Sequence, residues 1–155
     1  MVGFTKEYED IGVKEPIWQD VNDLIGLSSH EIQPVKVVDD VPKGTMVYAD
    51  PLIVKVFHNL VLNAVRHGGR ITSIHFYLEE REGNKAIVCQ DDGMGVSQEM
   101  KSRLFSKGIG NDHGFGLFLS REILSITGIC ISEEGGPSTG AKFVLTIPEN
   151  TIRMS

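Results

Sequence analysis

The chain has 155 residues, 41% hydrophobic and 23% charged, which suits one globular domain with enough apolar content for a core. A net charge of −6 without any Lys/Arg-rich run argues against nucleic acid or an anionic membrane surface as a partner. Cys89 and Cys130 sit in apolar, strand-like runs without metal-ligand spacing and read as buried free thiols. No signal peptide and no apolar run near the ~20 residues of a membrane span appear, so a cytoplasmic domain is expected, whether or not its parent is anchored.

In chain order, Phe4, Tyr8 and Ile11 are spaced as the last turns of a helix ending at Gly12. After Pro16, the spacing of Trp18, Val21, Leu24 and Ile25 predicts a second amphipathic helix. Val35, Val37 and Val41 alternate as a strand, and Met46 to Tyr48 form a short one after the Pro42-Lys43-Gly44 turn. Asp50 as N-cap and Pro51 at the first helical position open a long helix that runs to Gly68-Gly69. Ile71 to Glu80 and Lys85 to Gln90 are two strands joined around Glu82-Gly83-Asn84. A Gly-rich stretch from Asp91 to Gly116 holds a short helix near Glu99 to Phe105. A further helix, Leu117 to Thr127, ends at Gly128. Ile129 to Ser132 and Lys142 to Ile147 form a last strand pair. This order implies a two-layer α/β sandwich of α+β class, one mixed sheet with three main helices on one face.

The stretch NLVLNAVRHGG, from Asn59 to Gly69, raises a chemical question, because asparagine is a poor helix-interior residue. Asn59 and Asn63 are one turn apart, so their amides share a face and either meet something polar or stay unpaired at ~1–3 kcal/mol each. Three more polar or Gly-rich clusters follow it: DDGMG at 91–95, LFSKG at 104–108 with HGFGL at 113–117, and TGAKF at 139–143.

These four clusters, in this order, resemble the ATP-binding domain shared by histidine kinases, type II topoisomerase ATPase subunits, the ninety-kilodalton heat-shock chaperone and the mismatch-repair ATPases. The resemblance covers about residues 48 to 148 and implies a Bergerat-type ATP-binding fold. It also implies ATP and Mg²⁺ as cofactors, with Asn63, and Asn59 one turn before it, as metal-site residues. An amide oxygen is a suitable hard ligand, and Mg²⁺ shares phosphate oxygens and water. Arg66, His67 and Lys107 would reach the phosphates. Asp91 would accept a hydrogen bond from the adenine amino group, with Gly93 and Gly95 admitting the base close to the backbone. Residues 102 to 115 would form a lid anchored by Phe105. Gly114, Phe115, Gly116 and Leu117 would bring a helix N-terminus to the phosphates, and Gly140 and Phe143 would close the sheet under the base.

The sequence departs from the family pattern at three places. Asp112 replaces the first glycine of the usual G-x-G-L-G-L, and it either points to solvent or helps position Mg²⁺. Ala141 stands where threonine is usual, and Asp92, where relatives often have Asn, reads as a turn residue.

Hydrolysing members carry a glutamate one turn before the magnesium asparagine, as the base for an attacking water. Asn59 stands there instead, as in many histidine kinases, whose nucleophile is an imidazole on another domain. The resemblance thus implies a histidine kinase catalytic domain at residues 13–155, with residues 1–12 as the tail of an upstream helical dimerisation and phosphoacceptor domain. Implied partners are that domain and a response regulator, and the isolated domain is expected to be monomeric. The alternatives are a non-catalytic nucleotide-binding module and, on a weaker footing, a hydrolysing ATPase. LFLSREIL and FTKEYEDIGV also look like sensor kinases from archaea. SSHEIQP, residues 28–34, is similar to a phosphoacceptor box, but the stretch from His30 to Asp50 is too short for the antiparallel helix pair that normally intervenes. His58 and His75 read as ordinary surface or core histidines.

Overall fold

A computed structural model describes residues 9–29, 35–106, 112–136 and 139–154, with backbone alone at 112–115. The described elements are β1 (Ile17–Asp20), α1 (Val21–Ser28), β2 (Lys36–Asp39), β3 (Thr45–Ala49), α2 (Ile53–His67), β4 (Ser73–Arg81) and β5 (Asn84–Asp91). They continue with α3 (Gln98–Lys101), α4 (Asp112–Ser125), β6 (Cys130–Glu133), β7 (Lys142–Ile147), a 3-10 turn (Glu149–Thr151) and β8 (Ile152–Met154).

Five strands form a mixed sheet in the order β2-β4-β5-β7-β6, in which β2 pairs parallel to β4 and the rest are antiparallel. Alternation along these strands sorts the side chains. Ile74, Phe76, Ile87, Cys89, Phe143 and Leu145 point into the main core, whereas Tyr77, Ala86, Val88 and Val144 form a small cluster on the other face. The helices close the same main core with Leu24 and Ile25 of α1, Phe57 and Leu60 of α2, and Ile123 and Leu124 of α4. This is the two-layer sandwich expected. The β4–β5 hairpin turns through Glu82 and Gly83, both at positive φ (50° and 88°), as a two-residue turn requires.

The structure corrects several boundaries. Trp18 is in a strand, not a helix: β1 runs antiparallel to β3 with Trp18 opposite Tyr48, and the helix begins only after Asp20, whose carboxylate accepts from Asp23 N at 2.9 Å. The helical spacing of Val21, Leu24 and Ile25 was real, but long-range pairing with Met46–Ala49 claimed the residues before it. β1, β3 and β8 make a second, three-stranded sheet where one sheet was expected. Asp50 caps a turn instead of the helix. Its Oδ1 accepts from Leu52 N and its Oδ2 from Gly12 N, both at 2.8 Å, and α2 starts at Ile53. Asp50 is buried, and it pins the incoming chain to the start of α2. Helix α4 takes in Gly114 and Gly116 instead of starting after them. Cys89 is buried, with its thiol pushed up by desolvation, but Cys130 is exposed on an edge strand, and both are free. Phe4, Tyr8 and His30 lie outside the described residues. Among those described, no helix is long and apolar enough to cross a membrane.

Candidate functional site

Helix α2 buries Ile53, Val56, Phe57, Leu60, Val61 and Ala64, an apolar stripe at helical spacing, and Asn59 and Asn63 are half-buried beside it. Asn59 turns toward α4, where its Nδ2 donates to Gly116 O at 3.2 Å and to Ser120 Oγ at 3.0 Å. A β-carbon on Gly116 would meet the Asn59 carboxamide at 3.5 Å, an ordinary van der Waals contact, so the two helices touch here without requiring glycine. Asn63 has no hydrogen-bond partner among the described residues. A half-buried amide left without a partner suits contact with a ligand better than a structural role.

The second half of the site is built around Asp91, the last residue of β5 and 6% exposed. Its Oδ1 accepts from Gly93 N at 2.8 Å and from Ala141 N at 3.2 Å, while Asp91 N donates to Ala141 O at 3.0 Å. Both of these side-chain bonds use Oδ1, and Oδ2 has no protein donor among the described residues and is not sealed from solvent, so that oxygen is open to accept from a ligand. Burial raises the Asp91 pKa, against the lowering effect of the two backbone donors, with smaller upward contributions from Asp92 and Glu133. The contact from Ala141 runs through its backbone N–H, so alanine in place of threonine leaves it intact.

The glycines around Asp91 serve protein packing first. A β-carbon on Gly93 would sit 2.2 Å from Gly68 O, and one on Gly140 would sit 2.0 Å from Asp91 O. Gly95 and Gly140 both have positive φ (80° and 82°), and Gly95 lies against the Gly136 carbonyl. Met94 N also donates to Gly68 O at 2.9 Å, which ties the 91–95 loop to the end of α2. Asp92 is a turn residue, as expected. It accepts from Thr72 N, Ser73 N and the Thr72 hydroxyl, bonds that lower its pKa and join the loop to the start of β4.

Around the lid region, Phe105 packs edge-on to Phe143, with ring centroids 6.4 Å apart, and the Arg121 guanidinium lies 6.0 Å from the Phe105 ring. Sequence reading missed the polar anchor beside it. Lys101 of α3 makes a 2.7 Å ion pair with Glu133, whose side chain is 2% exposed, and also donates to Gly135 O. The other Glu133 oxygen accepts from Gly135 N and Lys142 N, each at 3.0 Å. A Lys and a Glu far apart in sequence leave no local signal. Ser120 was also missed, although its position one turn after Gly116 places both on one helical face. Arg66 and His67 are exposed in the last turn of α2, and Leu117 is buried. Residues 107–111 of the lid, Lys107 among them, lie outside the described residues, as do the side chains of residues 112–115. His58 is exposed, and His75 pairs with Asp40 at 2.7 Å on the surface.

Among the described residues no group of three His, Cys, Asp or Glu side chains is arranged to hold a metal. A donor set of amides fits Mg²⁺ as part of a metal–nucleotide complex, in which phosphate oxygens and water complete the shell. The Asn63 amide, without a hydrogen-bond partner among the described residues, is a group suited to a metal, and the open oxygen of Asp91 is one suited to a base's amino group.

Comparison with known proteins bears on the family and the fold. The family model described as "Histidine kinase-, DNA gyrase B-, and HSP90-like ATPase" matches residues 49–151. The sensor-like histidine kinase SenX3 of Mycolicibacterium smegmatis is 27% identical over 146 residues, which cover 84% of this chain and 38% of that protein. The chain therefore spans well under half the length of this curated relative. Among solved structures, the ATP-binding domain of PrrB from Mycobacterium tuberculosis superposes with a TM-score of 0.70 at 23% identity, covering 87% of this chain and 98% of that one. Full-length ShkA in complex with AMPPNP gives 0.76 at 17% identity, covering 97% of this chain and 35% of that one. At such identities the structural likeness speaks for the fold. The relatives with a stated source are bacterial, and the archaeal likeness finds no support.

Proposed function

This chain belongs to the family of histidine kinase-, DNA gyrase B- and HSP90-like ATPases and carries the ATP-binding catalytic domain of sensor histidine kinases, and from that premise we propose how its own residues work. The domain binds ATP·Mg²⁺ and delivers the γ-phosphoryl group to a histidine on a separate helical domain. A response regulator is the onward acceptor. Asp91 selects adenine, because its free oxygen accepts from an exocyclic amino group where guanine would present a carbonyl. Gly93, Gly95 and Gly140 keep the Asp91 loop close-packed beneath the base.

Asn63, assisted by Asn59, holds the metal, which when bound screens the phosphate charge. Arg66, His67 and Lys107 supply donors for the phosphates, with Arg66 offering the fixed fork that suits oxyanions. Backbone N–H groups of the first turn of α4, up to Gly114 and Phe115, face the same anions, with Gly116 one residue deeper in the helix. No acidic base stands at position 59. The Asn59 amide cannot take a proton from water, and its nitrogen is committed to α4, which favours transfer to an imidazole over hydrolysis.

The observation that carries the reading is the Asp91 carboxylate, held by two backbone donors on one oxygen with the other left open. Phosphoryl transfer depends chiefly on positioning and charge stabilisation, so the chain alone is expected to bind ATP·Mg²⁺ and stay nearly silent. Incubation with γ-labelled ATP, with and without a supplied helical phosphoacceptor domain from the same parent, tests this. Acid-labile label on the added domain is expected. Acid-labile label on His30 of the chain alone, or steady phosphate release, would overturn the reading.

A further inference from the structure

We propose that Ser120 is a positioning residue of the nucleotide site, one that fixes which end of the Asn59 carboxamide faces the metal. The inference rests on the functional reading above and deepens it. A carboxamide has two ends of nearly equal shape but opposite chemistry, since oxygen can ligate a cation and the NH₂ group cannot. Shape does not choose between them; hydrogen-bond partners do. In this structure Nδ2 faces α4, with Ser120 Oγ at 3.0 Å and Gly116 O at 3.2 Å, and so takes both of its protons to that side.

The two acceptors are not equivalent. Gly116 O sits within α4, where helical geometry already offers it the amide of Ser120, so it is a shared acceptor at the longer distance. The Ser120 hydroxyl is fully buried, at 0% exposure, and water cannot take its place if it is removed. Ser120 is thus the group that makes the metal-competent orientation of Asn59 the favoured one. It also ties that orientation to α4, the helix that follows the lid.

The test is a calorimetric titration of ATP, with Mg²⁺ and separately with EDTA, into wild-type protein, Ser120→Ala, Asn59→Ala and the double variant. In Ser120→Ala the gain in affinity that Mg²⁺ brings is expected to shrink about three- to tenfold, with EDTA affinity within about twofold of wild type. In the Asn59→Ala background, Ser120→Ala should change the Mg²⁺ gain no further, since the two act as one unit. Ser120→Cys, which keeps a weak acceptor, should fall between wild type and alanine. It also serves as the second variant if alanine does not fold. Side-chain amide NMR provides a readout without nucleotide: the Asn59 NH₂ protons should be protected from exchange in wild type and lose protection in Ser120→Ala. An unchanged Mg²⁺ gain in Ser120→Ala, equal losses with Mg²⁺ and EDTA, or additive penalties would overturn the role of Ser120 alone. A wild-type protein without any Mg²⁺-dependent gain would overturn the functional reading, and this assignment with it.

Discussion

Gly140 lies against Asp91 so closely that a β-carbon on it would be 2.0 Å from the Asp91 carbonyl oxygen and 3.0 Å from Oδ1. Gly140→Ala therefore meets rigid backbone as well as an unfavourable φ of 82°, and a loss on the order of 3 kcal/mol is expected. Gly83→Ala is the control, because Gly83 has φ 88° but nothing within 4 Å, and it should cost only about 1–2 kcal/mol. Thermal or urea unfolding of both variants measures the difference. Equal losses would mean that the loop yields and that the close contact is unimportant.

Asp91→Asn should separate binding from stability. The new amide can keep its oxygen on Gly93 N and Ala141 N but turns a donor toward the adenine amino group, so ATP affinity should fall about tenfold or more. Stability should move the other way. The folded-state pKa of Asp91 is raised by burial, so its favourable contribution is fully present below the ordinary carboxylate range and is lost as pH rises through the raised value. At pH 7 the nucleotide-free variant should then be at least as stable as wild type, with the difference shrinking on acidification toward about pH 4. Melting curves across that range check the sign. A variant that is less stable at pH 7 would show that the carboxylate is held for the fold.

Asn63→Ala should lose most of the Mg²⁺-dependent part of ATP affinity and nearly keep the affinity measured in EDTA, because the side chain is assigned to metal and not to base. Since Asn63 has no hydrogen-bond partner among the described residues, stability should change by less than about 1 kcal/mol. If both affinities fell together, Asn63 would be a structural residue.

Lys101→Met should strand the Glu133 carboxylate, whose side chain is only 2% exposed, and a cost of about 3 kcal/mol is expected. The same change frees α3 from the 133–135 turn, so tryptic cleavage after Arg103 should accelerate relative to cleavage elsewhere. Limited digestion followed by mass spectrometry reads this out. Unchanged stability and digestion would remove the pair as an anchor.

Much of the molecule was legible in the chain itself. The helix stops at Gly68-Gly69 and Gly128, the strand runs of β4, β5 and β7, and the Glu82-Gly83 turn are local signals, and each lies close to where the chain placed it. The clusters at 59–67, 91–95 and 139–143 stood out in the chain as polar and glycine-rich, and the structure gives Gly93 and Gly140 a packing reason of their own. Tertiary structure decided what depends on partners distant in sequence. It drew Ile17–Asp20 into a strand against Thr45–Ala49, since unpaired backbone beside an existing strand gains more from a ladder than from one more helical turn. It also moved Asp50 from helix cap to anchor for Gly12. Gly93 and Gly140 acquired their necessity from Gly68 and Asp91, far away along the chain, and the Lys101–Glu133 pair and the Asn59–Ser120 bond exist only once α3 meets β6 and α2 meets α4. Periodicity records which face of an element is buried. Which residue lies opposite is set by packing, and on that choice depends whether a polar side chain is held for the fold or left open for a ligand.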